Sequence, residues 1–304
     1  MIGRKIGGYD IVERIGAGGM AEVYKAYDPA VDRFVAVKVL LEEYCKDPEF
    51  RSRFHLEARS IAMVEHAHIL PIFAYGEQDE LLYLVMRYIP SGSLSDRIET
   101  HGQFPFAAAC DILHPVADAL DYAHEHGLLH RDLKTDNVLI DTTEHAYLAD
   151  FGLVKLLQKP SGFFTRNFLP GTPEYMSPEQ CLGEDDLTPA ADQYALGIVL
   201  YYMICGRVPF KGNGPLAVLH HHVNSPPPPP ADYRPNLPDA TASVMLRALA
   251  KSPEERFASC GEFAQAFENS LGPNRLVDRF NSEMGDRIDA ALERVQRKRS
   301  RRKK

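Results

Sequence analysis

Residues 128–152 read LLHRDLKTDNVLIDTTEHAYLADFG, and this stretch decides how the rest of the chain is read. Asp132 and Asn137 lie five positions apart, and Asp150 follows Asp132 by eighteen. Short apolar runs separate them: Leu128-Leu129, Val138-Leu139-Ile140 and Tyr147-Leu148-Ala149. The pattern predicts two short strands closed by a polar turn at residues 141–144, a hairpin with polar groups at its open end. A carboxamide and a carboxylate brought together, Asn137 and Asp150, are oxygen ligands suited to a hard cation such as Mg²⁺. Asp132 is then left to orient and deprotonate a hydroxyl, and Lys134 to place positive charge on a phosphoryl group in flight. The plain alternative is a pair of turns capped by Asp and Asn. HRDLKxxN followed by DFG at this distance demands too many coincidences for it.

Upstream, residues 9–40 alternate in polarity and predict two strands joined by a glycine-rich turn, then a third strand. Gly16 and Gly18 fill the first two positions of GxGxxG, and Ala21 stands at the third. Glycines at such a turn let backbone N–H groups approach phosphates with no Cβ in the way. No helix follows directly, which excludes a dinucleotide-binding βαβ unit. Lys38 ends the strand AVAVK. An ammonium on an inward-facing strand needs a partner, and Glu57, in the helical stretch PEFRSRFHLEARSIAMVEH, is the candidate. Asp47-Pro48 supplies the start signal for that helix.

HRDLKTDN, DFG, the glycine-rich turn with its VAVK strand, and GTPEYMSPE together resemble the protein kinases, specifically the bacterial eukaryotic-like serine/threonine kinases, over about residues 9–269. The resemblance implies an α+β, two-lobed fold: a small five-stranded N-lobe with one main helix and a larger, mostly helical C-lobe. It places the N-lobe at 1–86, a hinge at 87–92, the C-lobe at 93–271 and a separate tail at 272–304. It implies transfer of the ATP γ-phosphoryl group to Ser or Thr of proteins, with Mg²⁺ as the ion and Mn²⁺ as the alternative. In that scheme Asp132 is the base, Lys134 the transition-state charge, and Lys38, fixed by Glu57, the phosphate clamp. The nucleotide site comprises Ile15, Gly16, Gly18, Val23, Ala36, Lys38, Met86, Arg87, Ile89 and Leu139. Arg87 stands where an acid is commoner in the family. Asp192 is expected to brace the HRD backbone, Arg256 to pair with Glu179, and Thr165, with Ser161 as fallback, to be the autophosphorylated residue of the loop after DFG. Two rivals are a nucleotide-binding scaffold that transfers nothing, disfavoured by the complete set of polar residues, and a small-molecule kinase, disfavoured by the GTPEYMSPE segment.

The remaining features bound this reading. The chain has 304 residues, 45% of them hydrophobic and 25% charged, and its net charge of −8 argues against general nucleic-acid binding. Five scattered cysteines without a CxxC pair or a histidine at metal spacing predict reduced, buried thiols and a cytoplasmic setting. His114, His124, His126 and His130 are expected to be structural rather than metal-binding. The start lacks the apolar core of a signal peptide. The longest apolar run, Tyr194–Cys205, is too short to cross a bilayer and predicts a buried helix. Pro115 predicts a kink or a late start in the helix around it, and Pro226–Pro230 a polyproline connector. After Pro273, apolar positions from Leu276 to Val295 recur every three or four residues, a stripe too thin to bury alone that is expected to dock, pair with a second copy in a homodimer, or fray. Residues 294–304 carry eight Lys or Arg and no acid, leaving −16 on the remainder. Such a tail is expected to meet an anionic membrane surface, the chain being the cytosolic part of a single-pass membrane protein.

Overall fold

The computed structural model describes residues 1–151 and 172–272. The N-terminal part is an antiparallel sheet of strands β1 (Lys5–Ile6), β2 (Tyr9–Ala17), β3 (Ala21–Asp28), β4 (Arg33–Leu40), β5 (Ile72–Gln78) and β6 (Leu81–Arg87), in the order β1-β2-β3-β4-β6-β5. The expected five strands are therefore six. The extra strand forms because Gly7 and Gly8, with φ of +58° and +93°, supply the left-handed pair that a tight two-residue hairpin needs, setting Ile6 opposite Tyr9. A side chain at Gly7 would also collide with the Tyr83 ring, 2.5 Å from its hydroxyl. The dipeptide Gly7-Gly8 between KI and YDIV was the available signal. With β1 in place, Ile6 and Ile11 close an apolar layer over Val35, Val37 and Val85 on one face of the sheet.

The other face carries the short helix α1 (Glu42–Cys45) and the main helix α2 (Pro48–Ala62). Asp47 caps α2, its side chain accepting the Glu49 N–H at 2.9 Å, and Pro48 occupies the first turn where no N–H is missed. Phe50, Phe54, Ala58 and Ile61 bury the inner stripe of α2. Strand β5 does not follow α2 directly. Pro71 and the turn at residues 66–69 intervene, and Ile69 bridges to Leu148 instead.

The C-terminal part is helical around one small hairpin, β7 (Val138–Ile140) with β8 (Ala146–Leu148). Helices α3 (Leu94–His101), α4 (Phe106–Glu125), α5 (Pro178–Leu182), α6 (Pro189–Cys205), α7 (Pro215–Asn224), α8 (Asp239–Ala248) and α9 (Cys260–Ser270) surround it. Helix α6 is buried nearly all round, as its composition requires, and packs on α4 and α8. Helix α4 runs through Pro115 without a late start. The prolines at 226–230 connect α7 to α8 and are tied down, Tyr201 donating its hydroxyl to the Pro228 carbonyl at 3.1 Å. Four cysteines are buried and all five are free; Cys181 departs from the expectation in being partly exposed. The Glu179–Arg256 pair forms as a fully buried fork, with Nη1–Oε1 at 2.8 Å and Nη2–Oε2 at 2.9 Å.

Candidate active site

The hairpin β7–β8 sets the predicted residues at its open end. Asp132 and Lys134 precede a 3-10 turn, Thr135–Asn137, that leads into β7, and Asp150 follows β8. Asn137 is buried and donates its amide Nδ2 to the Asp132 carbonyl at 2.7 Å. That bond spends the nitrogen and leaves the carboxamide oxygen as an open acceptor. The Lys134 ammonium lies 3.1 Å from Asp132 Oδ2 and donates to the Thr172 hydroxyl at 2.9 Å. Asp132, Lys134 and Thr172, the first residue of the TPEY turn, therefore share one cradle. Thr172 is held from behind, since the neighbouring Tyr175 hydroxyl exchanges a 2.8 Å hydrogen bond with Thr135.

Buried groups fix this loop from below. Asp192, at the start of α6 and 2% exposed, accepts the backbone N–H of His130 and of Arg131, each at 2.8 Å. His130 is fully buried, accepts the Asp132 N–H on Nδ1 at 3.3 Å and donates Nε2–H to the Ala149 carbonyl at 2.8 Å. Those two bonds define its neutral tautomer. Gln180 donates to the Arg131 carbonyl at 2.9 Å. Arg131 and Asp150 both hold left-handed φ angles, +65° and +64°. Each costs a non-glycine residue of order 1 kcal/mol, which the surrounding hydrogen bonds offset. His124 Nε2 also donates to Asp192, at 2.8 Å, a tie that sequence reading missed because 68 residues separate the partners. Burial would raise the Asp192 carboxyl, but the His124 hydrogen bond and charge, with the loop N–H groups, hold it below the usual range.

The strand lobe contributes Lys38 from the middle of β4, between Val23 on β3 and Leu84 on β6. Its ammonium is nearly buried and lies 2.8 Å from Asp150 Oδ2. Among the described residues this is the ion pair of Lys38; the expected pairing with Glu57 is not formed, although Glu57 is buried on the inner face of α2. The physical reason is competition for one ammonium, which Asp150 reaches at ion-pair distance. Burial alone would push the Asp150 carboxyl up; the charge and hydrogen bond of Lys38, with the charge of Lys134, pull it below the ordinary carboxylate range.

The glycine-rich turn is open. A Cβ at Gly16 or Gly18 would meet nothing nearer than 3.7 Å, so the room those glycines provide faces outward rather than packing on the protein. Ala21, at the third glycine position, opens β3, pairs with Leu40 and is 2% exposed. Its methyl group is core and leaves the turn unobstructed. Ala36 and Met86 are paired neighbours and both buried, while Ile15 is exposed on β2 and Val23, Ile89 and Leu139 are partly buried. Arg87, the unusual hinge residue, donates Nη1–H to the Tyr147 hydroxyl at 2.8 Å, its guanidinium 5.3 Å from that ring. Behind Met86 lies a small apolar pocket of about 20 Å³, walled by Ile61, Leu84, Leu148 and Phe151.

The donor set suits a hard cation: a carboxylate on Asp150 and a carboxamide oxygen on Asn137, while both ring nitrogens of the nearby His130 are taken by the Asp132 N–H and the Ala149 carbonyl. Thr165 and Ser161 lie outside the described residues, as does the tail beyond residue 272.

Residues 9–269 match the family model described as "Protein kinase domain". Serine/threonine-protein kinase PrkC of Bacillus subtilis is 34% identical over 294 residues, covering 96% of this chain and 45% of the relative. Serine/threonine-protein kinase PknF of Mycobacterium tuberculosis is 37% identical over 278 residues, covering 89% of this chain and 58% of the relative. The chain thus spans about half the length of the curated relatives it matches. Among solved structures, the kinase domain of M. tuberculosis PknI superposes with a TM-score of 0.71 at 34% identity, covering 90% of this chain and 99% of that one.

Proposed function

The chain belongs to the protein kinase family, and from that premise we propose that it transfers the γ-phosphoryl group of ATP to Ser or Thr hydroxyls of proteins. The observation that carries this reading is the shared cradle of Asp132, Lys134 and Thr172 beside the open oxygen of Asn137. Asp132 accepts the proton of the attacking hydroxyl, and Lys134, already bonded to both Asp132 and Thr172, holds positive charge where the phosphoryl group passes. Asn137 and Asp150 would hold Mg²⁺, or Mn²⁺ in its place, whose charge when bound neutralises the phosphate oxygens. Lys38 would hold the α- and β-phosphates, with Glu57, buried on the inner face of α2, as the carboxylate that fixes it. Ile15, Val23, Ala36, Met86 and Leu139 sandwich the adenine, and the backbone of Arg87 and Ile89 offers it hydrogen bonds. Because the Arg87 side chain is bonded to Tyr147, it does not compete with this.

The domain division follows the same reading: a kinase unit over 1–271 and a tail over 272–304. We assign activation to autophosphorylation at Thr165. A phosphate brings nearly two negative charges for Arg131 to pair with. The basic tail is assigned to anionic lipid on the cytoplasmic side, and the apolar stripe before it to pairing with a second copy. The kinase reading is tested by incubating the purified chain with ATP, Mg²⁺ and a generic protein substrate while following its intact mass. Added phosphate on chain and substrate is expected. Nucleotide binding without either would leave a scaffold, and phosphate on small molecules alone would move the substrate class. Thr165→Ala is expected to lose the first autophosphorylation and most turnover; parent-like behaviour would place the switch elsewhere.

A further inference from the structure

A second cluster of chemically capable side chains lies on the far side of Asp192 from the catalytic loop. Asp121 and His124, on α4, meet Cys260, the first residue of α9. One carboxylate oxygen, one imidazole nitrogen and the thiol sulfur all lie within 4.8 Å of one another. His124 Nδ1 stands 3.9 Å from Asp121 Oδ1.

Three features orient these atoms from outside. The Asp192 carboxylate accepts the His124 Nε2–H at 2.8 Å, which leaves Nδ1 as the ring nitrogen facing Asp121. A carboxylate fixing the far nitrogen is how metal-bound histidines are held. Asp121 is itself fixed, Oδ1 accepting the Cys260 N–H at 2.9 Å and Oδ2 the Gly261 N–H at 2.7 Å. Gly261 allows that approach, for a Cβ there would stand 2.9 Å from Asp121 Oδ2. The Asp121 side chain also takes a hydrogen bond from the Cys260 thiol, whose proton a cation would replace. Cys260 is 1% exposed and is the first residue of α9; burial and the Asp121 and Asp192 carboxylates hold its thiol well above the usual range, so the sulfur is a ligand only once a cation displaces the proton.

We propose that Asp121, His124 and Cys260 form a binding site for a thiophilic divalent cation of the zinc class. One oxygen, one nitrogen and one sulfur ligand are the donors such an ion takes in tetrahedral sites, and its ligand atoms then sit about 3.5 Å apart. The 3.9 Å between His124 and Asp121 is within a small shift of that. On binding, the Cys260 S–H bond breaks, its proton leaves to buffer, and the metal–sulfur bond forms. The thiolate and the Asp121 carboxylate then balance the two positive charges. The Asp121 side chain is 27% exposed and that of His124 8%, so the ion enters from the Asp121 side and a water completes the four ligands. An ion here pins α4 to α9. Through His124 and Asp192 it also stands directly behind the N–H groups of His130 and Arg131.

The test is a titration of the chelator-treated full chain with cobalt(II), followed by displacement with zinc. One equivalent giving a thiolate-to-cobalt charge-transfer band, lost on adding zinc, is expected. Cobalt at Asn137 and Asp150 has only oxygen ligands and gives no such band, so failure of the kinase reading is seen separately. Cys260→Ser should lose the band and weaken zinc about 10²-fold, while keeping its metal-free melting temperature. Cys45→Ser should keep band and affinity. X-ray absorption on the zinc-loaded parent needs no variant: one sulfur near about 2.3 Å with nitrogen and oxygen near about 2.0 Å is expected. A shell without sulfur, no band in the parent, or a band that survives in Cys260→Ser means a hydrogen-bonded trio only and overturns the site.

Discussion

The catalytic loop and the nucleotide strands of the same cleft are held in different ways. Asp192, His130, Gln180 and Asn137 fix residues 130–137 through six hydrogen bonds, each to a backbone group and each at least partly buried. Across the cleft, Lys38 is positioned by its strand and by one ion pair, and that pair joins it to a residue of the other lobe. The glycine-rich turn keeps a single internal bond, the Gly18 N–H to the Ala21 carbonyl at 2.8 Å. The difference teaches where the protein stores its geometry. The groups proposed to act on the hydroxyl are built in advance, whereas the group proposed to hold phosphate is set by one electrostatic contact.

The most severe way to probe this contrast is Asp132→Asn. The substitution keeps shape and removes the base, so phosphate transfer is expected to fall by roughly 10²–10⁴ while nucleotide binding, measured by calorimetry, stays within a few-fold. Near-normal turnover would dissociate the prebuilt cradle from chemistry. Glu179→Ala comes next. It leaves Arg256 buried with neither fork bond made, and the unfolding free energy in urea is expected to drop by about 3–5 kcal/mol. A loss under about 1 kcal/mol would mean that the helical lobe tolerates an unpaired buried charge.

Lys38→Met probes the strand side. Phosphate transfer should be lost, and stability should acquire a different pH dependence. In the parent the Asp150 carboxyl is held low, so its contribution to stability is present above the unfolded carboxylate range and is lost as pH falls through the lower folded value. Without Lys38, burial acts with far less opposition and the carboxyl rises, so this contribution shrinks or reverses at neutral pH. The gap in melting temperature between parent and variant should therefore be widest near pH 7 and close toward pH 4. A constant gap would remove Asp150 from the account. Arg87→Ala is the smallest change. Its half-exposed contact with Tyr147 is worth about 0.5–1 kcal/mol, and ATP affinity should be unchanged because only the backbone of Arg87 faces adenine in the proposed site. A tenfold loss of affinity would bring that side chain into the nucleotide site.

The parts of this architecture that were legible in the sequence are those written within one short stretch. HRDLKTDN and DFG sit on a single hairpin, so spacing along the chain is nearly spacing in space, and the placement of Asp132, Asn137 and Asp150 followed. The Glu179–Arg256 fork and the Asp192 brace span 77 and up to 62 residues and were reached through the family resemblance, not through spacing. The sixth strand is not legible from alternation, because Lys5–Ile6 is too short to show a period of two, and only Gly7-Gly8 announces it.

By itself the sequence determined the fold class, the residues able to do the chemistry and the order in which they line the hairpin. These follow from side-chain type and from periodicities of two and 3.6 residues, which are local properties. Only the tertiary structure decided which carboxylate holds Lys38, where the Arg87 side chain turns, and that Cys260 arrives beside Asp121 and His124 from 136 residues beyond His124. Each depends on which groups the packed elements bring within a few ångströms, and electrostatic and hydrogen-bond choices are made at that range, where sequence separation carries no information.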